Sequence, residues 1–236
     1  MNKKAFDVVL WDIDGTLLDF IASEKAALFR CFESFGFGMC TDELHRQYSA
    51  INIRHWEMLE RGEMTKTQIL PGRFRCFFEE AGLPVEKAEA FNAEYENRLS
   101  DTIRFCDQAQ ETLDTLRGKV IQCAITNGTR HVQEKKLHDS GLDQILDQVF
   151  ISDVIGVQKP DPAFFNAIFQ ALPSVPKERM LIIGDSLTSD ILGGIRSGIP
   201  TCHYNPSSAP GRPDIRPDYE IHHLSEVIPL ILNPIE

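Results

Sequence analysis

Phe6-Asp7-Val8-Val9-Leu10-Trp11-Asp12-Ile13-Asp14-Gly15-Thr16-Leu17 carries a short apolar run into two carboxylates. The run is rich in β-branched and aromatic residues and is closed by a glycine, which predicts a buried strand over 6–11 and a turn after it. Side chains alternate along a strand, so Asp12 and Asp14 start from its end on the same side. In open α/β sheets, ligands bind just outside the carboxyl ends of the strands. A carboxylate pair there can hold a hard cation such as Mg²⁺. One carboxylate can also attack phosphorus while the other moves protons. Asp and Gly are ordinary turn residues too, so this stretch alone leaves a plain strand-to-helix turn open.

Further apolar runs recur down the chain, at 120–126, 148–151 and 180–184, with weaker ones at 200–204 and 219–221 toward an edge. Helical patterns lie between them, over 132–140, 163–172 and 189–197, and 225–232 reads as a last helix. Gly141 and Gly198 stop two of these helices, and Asp161-Pro162 opens another with a capping residue and a proline at its first position. Strands alternating with helices predict βαβ units and a parallel sheet covered on both faces. One gap is anomalous: roughly a hundred residues separate the first strand from the second, where a crossover needs a few tens. That stretch shows helical segments over 23–35, 41–61, 65–81 and 85–99, punctuated by Gly36, Gly62, Gly82 and Pro84. The expected organisation is an α/β, Rossmann-like core made of 1–17 and 105–236, with an all-helical cap domain, 18–104, inserted after the first strand.

Asp plus Glu is 35 against 24 Lys plus Arg, a net charge of −11. Such a surface repels polyanions and argues against a nucleic-acid polymer as partner, while a bound cation could still bring in a small phosphorylated ligand. The six cysteines show no C-x-x-C pair, which fits free thiols in a reducing cytoplasm better than disulfides or a zinc site. Asp7 interrupts the apolar run behind the basic start Met1-Asn2-Lys3-Lys4, so no signal peptide is expected. No apolar stretch approaches the ~18 residues of a membrane span.

Polar groups sit at three more predicted strand ends. Thr126-Asn127-Gly128 ends the second strand beside a helix N-terminus, a setting that suits phosphate and equally suits a capping Thr. Lys159-Pro160-Asp161-Pro162 follows the third strand and holds a lysine between prolines, able to offset phosphoryl charge. Gly184-Asp185-Ser186-Leu187-Thr188-Ser189-Asp190 ends the fourth with two more carboxylates. Each has an ordinary structural explanation; five chemically matched residues at the carboxyl edge of one inferred sheet point to a site.

In order and in strand context, these four stretches resemble the four motifs of the haloacid dehalogenase-like hydrolase superfamily, over nearly the whole chain. The resemblance implies phosphoryl transfer through an aspartyl phosphate with Mg²⁺. By it, Asp12 is the nucleophile and Asp14 the general acid and base, and Thr126 and Lys159 hold the phosphate. The metal ligands it implies are Asp12, the backbone carbonyl of Asp14, and Asp185, with Asp190 supporting the metal site from behind. Asp14 separates phosphate-ester cleavage from dehalogenation, which lacks the second acid.

Within the superfamily, Tyr48-Ser49-Ala50-Ile51-Asn52, Trp56, Gly72-Arg73-Phe74, Ile125 to Gly128, and the stretch from Ser189 to Ile195 are similar to the bacterial pyrimidine 5′-nucleotidase branch. The expected activity is therefore hydrolysis of a nucleoside 5′-monophosphate, with Asn127, Gly128, Trp56 and Arg73 touching substrate. Trp56 also reads as a core aromatic, and Arg73 as a solvated or capping charge. A sugar phosphomutase, a phosphatase of another metabolite such as phosphoglycolate, and a non-catalytic regulator on the same scaffold stay open.

Overall fold

β1 (Val8–Trp11) is buried at every position and is paired on both sides, with β2 (Ile121–Thr126) and β4 (Met180–Gly184). The computed structural model describes residues 4–232; Met1-Asn2-Lys3 and residues 233–236 lie outside them. β2 pairs on its far side with β3 (Gln148–Ile151), β4 with β5 (Thr201–Tyr204), and β5 with β6 (Tyr219–Ile221). Every pairing is parallel, in the order β3-β2-β1-β4-β5-β6. This is the α/β parallel sheet that the apolar runs predict. β1 and β4 are apolar at successive positions because both of their faces are covered.

Helices supply that cover. Phe164, Phe165 and Ile168 of α8 (Pro162–Ala171) pack with Val8, Leu10, Cys123, Ile125 and Ile182 on one face. Burying such a phenylalanine stabilises by about 1.5–3 kcal/mol. Asp161 caps α8 by accepting from the Ala163 N–H at 2.9 Å, with Pro162 at the first helical position. In α9 (Leu192–Ser197), a Cβ on Gly194 would lie 2.4 Å from Thr201 Cγ2, so only a glycine lets this helix approach β5 so closely. Strand order reverses at β1, whose neighbours β2 and β4 are reached by crossovers running in opposite directions. The crevice at that switch point is where open α/β sheets bind ligands.

The chain divides into two compact units. One runs through Asp19 and resumes at Arg104; the other is Phe20–Ile103. The sequence placed these junctions at 17/18 and 104/105. In the first unit the outgoing and returning segments are bound together: the Asp19 N–H donates to Arg104 O at 2.8 Å, and the Cys106 N–H to Leu17 O at 2.9 Å.

The second unit holds α1 (Phe20–Phe35), α2 (Asp42–Glu60), α3 (Lys66–Ala81) and α4 (Ala88–Arg98). Thr41 caps α2 by accepting from the Leu44 N–H at 3.2 Å, and Gly82 ends α3 in the left-handed conformation. An aromatic cluster forms its core, with Tyr48 stacked on Phe74 at 4.7 Å between ring centres. Among the described residues no helix is long and apolar enough to cross a membrane, and all six cysteines are unpaired.

Candidate active site

Three adjacent strands, β2, β1 and β4, end side by side, and each delivers a polar residue at its carboxyl end. Thr126 is the last residue of β2. Asp12 directly follows β1 and extends its ladder, donating its N–H to Ile183 O at 2.9 Å. Asp185 directly follows β4. Strand register thus brings Asp12 together with two residues more than a hundred positions away in the chain.

Lys159 enters from the connection that leads from β3 through α7 (Ser152–Ile155) to α8. Its buried ammonium donates to Asp12 Oδ1 at 2.7 Å, Asp190 Oδ1 at 2.6 Å and Ile125 O at 3.0 Å. An ammonium has three protons, and all three are engaged. Burial alone would lower the pKa of Lys159, but Asp12 and Asp190 outweigh it and hold the group above its ordinary value. The Asp12 carboxyl is pushed well above the usual carboxylate range, first by burial and then by the charges of Asp190 and Asp185, with Lys159 pulling the other way. One ammonium faces three carboxylates here, so the site carries an excess of negative charge.

The remaining loops fix Asp185 and Asp190. Thr16 Oγ1 donates to Asp185 Oδ1 at 3.2 Å and accepts from the Asp185 N–H at 3.1 Å. Gly15 has φ 99°, and a Cβ there would stand 2.4 Å from Asp185 Oδ2. Both the dihedral and the approach therefore require glycine at this position. A Cβ on Gly184 would likewise collide with the Asp190 carboxyl, at 2.3 Å. His203 Nε2 lies 3.1 Å from Asp185 O; a carbonyl only accepts, so this nitrogen donates and ties β5 to the β4 loop.

Asp12, Asp185 and Asp190 each present one carboxylate oxygen, all within 4.8 Å of one another. A set of hard oxygen donors with surplus negative charge fits a divalent cation such as Mg²⁺. Asp190 Oδ1 is bound to Lys159 and its Oδ2 accepts from the Ser186 N–H at 3.2 Å, which suits it to back the site, whereas Asp185 is exposed at its rim. Partial dehydration by the surrounding protein and the charge of Asp190 push the Asp185 carboxyl up to about 7, and a cation would reverse that shift.

The haloacid dehalogenase-like hydrolase family model matches residues 9–204, a span that holds every one of these groups. The chain belongs to that family. It is 37% identical to the HAD-hydrolase YfnB of Bacillus subtilis over 95% of this chain and 94% of the relative. It is 34% identical to the pyrimidine 5′-nucleotidase PynA of Streptococcus pneumoniae, over 94% of each. The pyrimidine 5′-nucleotidase YjjG of Escherichia coli is 29% identical over 96% of this chain and 98% of the relative. A crystal structure of the Bacillus subtilis YfnB bound to magnesium superposes with a TM-score of 0.90 at 36% identity, covering 96% of this chain and 99% of that one.

Within this hydrolase fold some expected contacts fall elsewhere. Asn127, expected to touch substrate, has its amide committed to the Lys159 segment. Its Nδ2 donates to Lys159 O at 2.9 Å and to Ser189 Oγ at 3.3 Å, and the Lys159 N–H donates to its Oδ1 at 2.9 Å. The Asn127 side chain therefore places the lysine. Arg73, also expected at the substrate, lies in the interior of the helical unit. It donates from Nη1 to Asn52 Oδ1 at 2.9 Å, from Nη2 to Asn92 Oδ1 at 3.1 Å and from Nε to Leu70 O at 3.2 Å, and it lies over the rings of Phe74 and Tyr95. With that many buried partners it is part of the frame.

Trp56 is half-buried on α2, and Thr126 is buried with its Oγ1 accepting from the Gly128 N–H at 3.0 Å. Asp14 is half-buried and turns its carboxylate to α6 (Arg130–Ser140). The sequence alone assigns no role to Thr16, His203, Gln133 or Lys136. For Thr16 a signal existed, since it lies inside the Asp-x-Asp-Gly-Thr stretch.

Proposed function

We propose that this hydrolase is a Mg²⁺-dependent phosphatase of small phosphate monoesters that acts on pyrimidine nucleoside 5′-monophosphates. The observation that carries the reading is the buried Lys159 bridging Asp12 and Asp190 beside Asp185, at the switch point of the sheet. The pyrimidine 5′-nucleotidases among its relatives, matched over nearly their full length, support the substrate class.

In this reading an Asp12 oxygen attacks phosphorus and the ester oxygen leaves with a proton from Asp14. Water then attacks the aspartyl phosphate, Asp14 takes back a proton, and inorganic phosphate departs. Lys159 offsets charge on the equatorial phosphoryl oxygens, aided by N–H groups of the loop around Gly15. A Mg²⁺ held by Asp12, Asp185 and the Asp14 carbonyl, with Asp190 behind, would add positive charge at those same oxygens.

A phosphate-release screen over nucleoside monophosphates, sugar phosphates, phosphoglycolate and p-nitrophenyl phosphate tests this. Pyrimidine monophosphates are expected to rank first. A sugar phosphate or phosphoglycolate in first place overturns the nucleotidase reading, and no release from any ester overturns the phosphatase reading. EDTA should abolish turnover and Mg²⁺ restore it, with Ca²⁺ a poor substitute because it takes more ligands in looser geometry. Mg²⁺ should also raise the Tm of the wild type and not of Asp185→Asn. Full activity in chelator, or equal Tm gains in both proteins, contradicts the metal assignment.

All monoesters present the same phosphoryl group to the core, so discrimination is assigned to the helical unit. Its half-buried Trp56 offers an indole for stacking on a base. Trp56→Ala should then cost roughly 1–3 kcal/mol on nucleotides, the range for base–aromatic stacking. p-Nitrophenyl phosphate should be little affected. A lower Tm with both substrates affected alike would instead mark Trp56 as a packing residue.

A further inference from the structure

The geometry points to Gln133 and Lys136 as positioning residues that fix the carboxylate of Asp14. The inference rests on the reading of Asp14 as acid and base, and it concerns two residues of α6 to which neither the motifs nor the comparisons give a role. Lys136 Nζ donates to Asp14 Oδ1 at 2.5 Å, and Gln133 Nε2 donates to Asp14 Oδ2 at 2.7 Å. The two donors stand three positions apart on one helix face. Each takes a different oxygen, so together they fix both the place and the tilt of the carboxylate plane.

Both side chains are buried, Lys136 at 1% exposed and Gln133 at 1%, although burying a lysine is costly unless it is paired. Its neighbour Lys135 shows the contrast, an exposed lysine paired with Asp139 one turn on. Two further observations bear on Gln133. A Cβ on Gly128 would lie 2.2 Å from Gln133 Nε2, so the glycine of Thr126-Asn127-Gly128 leaves the room in which the amide sits. Gln133 Oε1 is buried without a hydrogen-bond partner, which places the useful end of this amide at Nε2, on Asp14.

The chemistry requires such a hold. Asp14 follows the strand on a loop, and a misplacement of about 1 Å in a reacting group can cost ~10²-fold in rate. The cleavage step most exposed to it is the one that needs a proton. An alkoxide leaving group depends on the acid, and a nitrophenolate hardly does.

The test compares Lys136→Met, Gln133→Leu and Lys136→Arg with wild type and Asp14→Asn, all loaded with Mg²⁺. Cleavage is followed in a single turnover, on p-nitrophenyl phosphate and on the alkyl phosphate cleaved best in the screen (uridine 5′-monophosphate by expectation). Lys136→Met and Gln133→Leu should each lose at least ~10-fold on the alkyl ester, in the direction of Asp14→Asn and short of the ~10²–10⁴-fold that a positioned acid contributes in full. KM and the nitrophenolate burst rate should stay within about threefold, and Lys136→Arg should recover most of the alkyl-ester rate. Equal losses on both esters, or no loss on either, overturn the assignment and leave α6 a purely structural element. Should Lys136→Met fail to fold, Gln133→Leu decides alone, because it removes one bond and no charge. If wild type cleaves both esters and the variants keep its ratio, this assignment alone falls; if wild type cleaves neither, the phosphatase reading falls and takes it along.

Discussion

Asp12→Asn is expected to lower kcat at least ~10³-fold, the scale on which removing one member of a concerted catalytic group acts. An amide cannot form the acyl phosphate, so the loss should be the same for every ester, whatever its leaving group. The fold should survive. Asp12 is one of three carboxylates around a single ammonium, and its carboxyl is already driven well above the ordinary range by burial and by Asp190 and Asp185. Replacing it by a neutral isostere removes part of that repulsion, so Tm in the absence of metal should hold or rise. Residual activity above a tenth of wild type would falsify covalent catalysis through Asp12. Trapping a labelled phosphoryl group on wild-type protein and not on Asp12→Asn is the direct check.

The sheet was legible because its central strands are apolar on both faces and each ends in a polar residue. β1, β2 and β4 declare themselves by composition, and Asp12, Thr126 and Asp185 lie where those runs stop. The roles of Asn127 and Arg73 were not legible, for a common reason. Both are residue types that bind ligands well, and only the fold shows that their donors and acceptors are already taken. The side-chain partners of Arg73 come from α2 and α4, some twenty residues away on either side, and the partners of Asn127 come from Lys159, after β3, and Ser189, after β4. The pair on α6 is an intermediate case. Gln133, Lys136 and Leu137 share the phase of the buried Val132, which marks Lys136 rather than Lys135 as the inward lysine. The phase was readable; that the inward face meets Asp14 was not, because the two lie more than a hundred residues apart.

Lys159→Met is expected to be as damaging to activity as Asp12→Asn, and unlike it should also destabilise the protein. Methionine keeps much of the volume, so the change isolates the charge. With the ammonium gone, Asp12 and Asp190 face each other in the interior, and removing one partner of a buried ion pair costs roughly 3–5 kcal/mol. The pH dependence identifies the cause. Loss of the cation raises the folded-state pKa of the Asp12 carboxyl further, while its unfolded value is unchanged. A carboxyl with a raised folded pKa binds protons more tightly in the folded state, so the variant gains stability as pH falls through that range and loses it as pH rises. The Tm deficit relative to wild type should therefore be largest at neutral and alkaline pH and should narrow toward pH 5. Mg²⁺ should narrow it too, since a cation between the carboxylates supplies part of what the lysine did, yet it should not restore turnover, because the phosphoryl oxygens have still lost their ammonium partner. A deficit of constant size from pH 5 to pH 8 would mean that Lys159 contributes packing rather than charge, and activity within tenfold of wild type would remove it from the phosphate site.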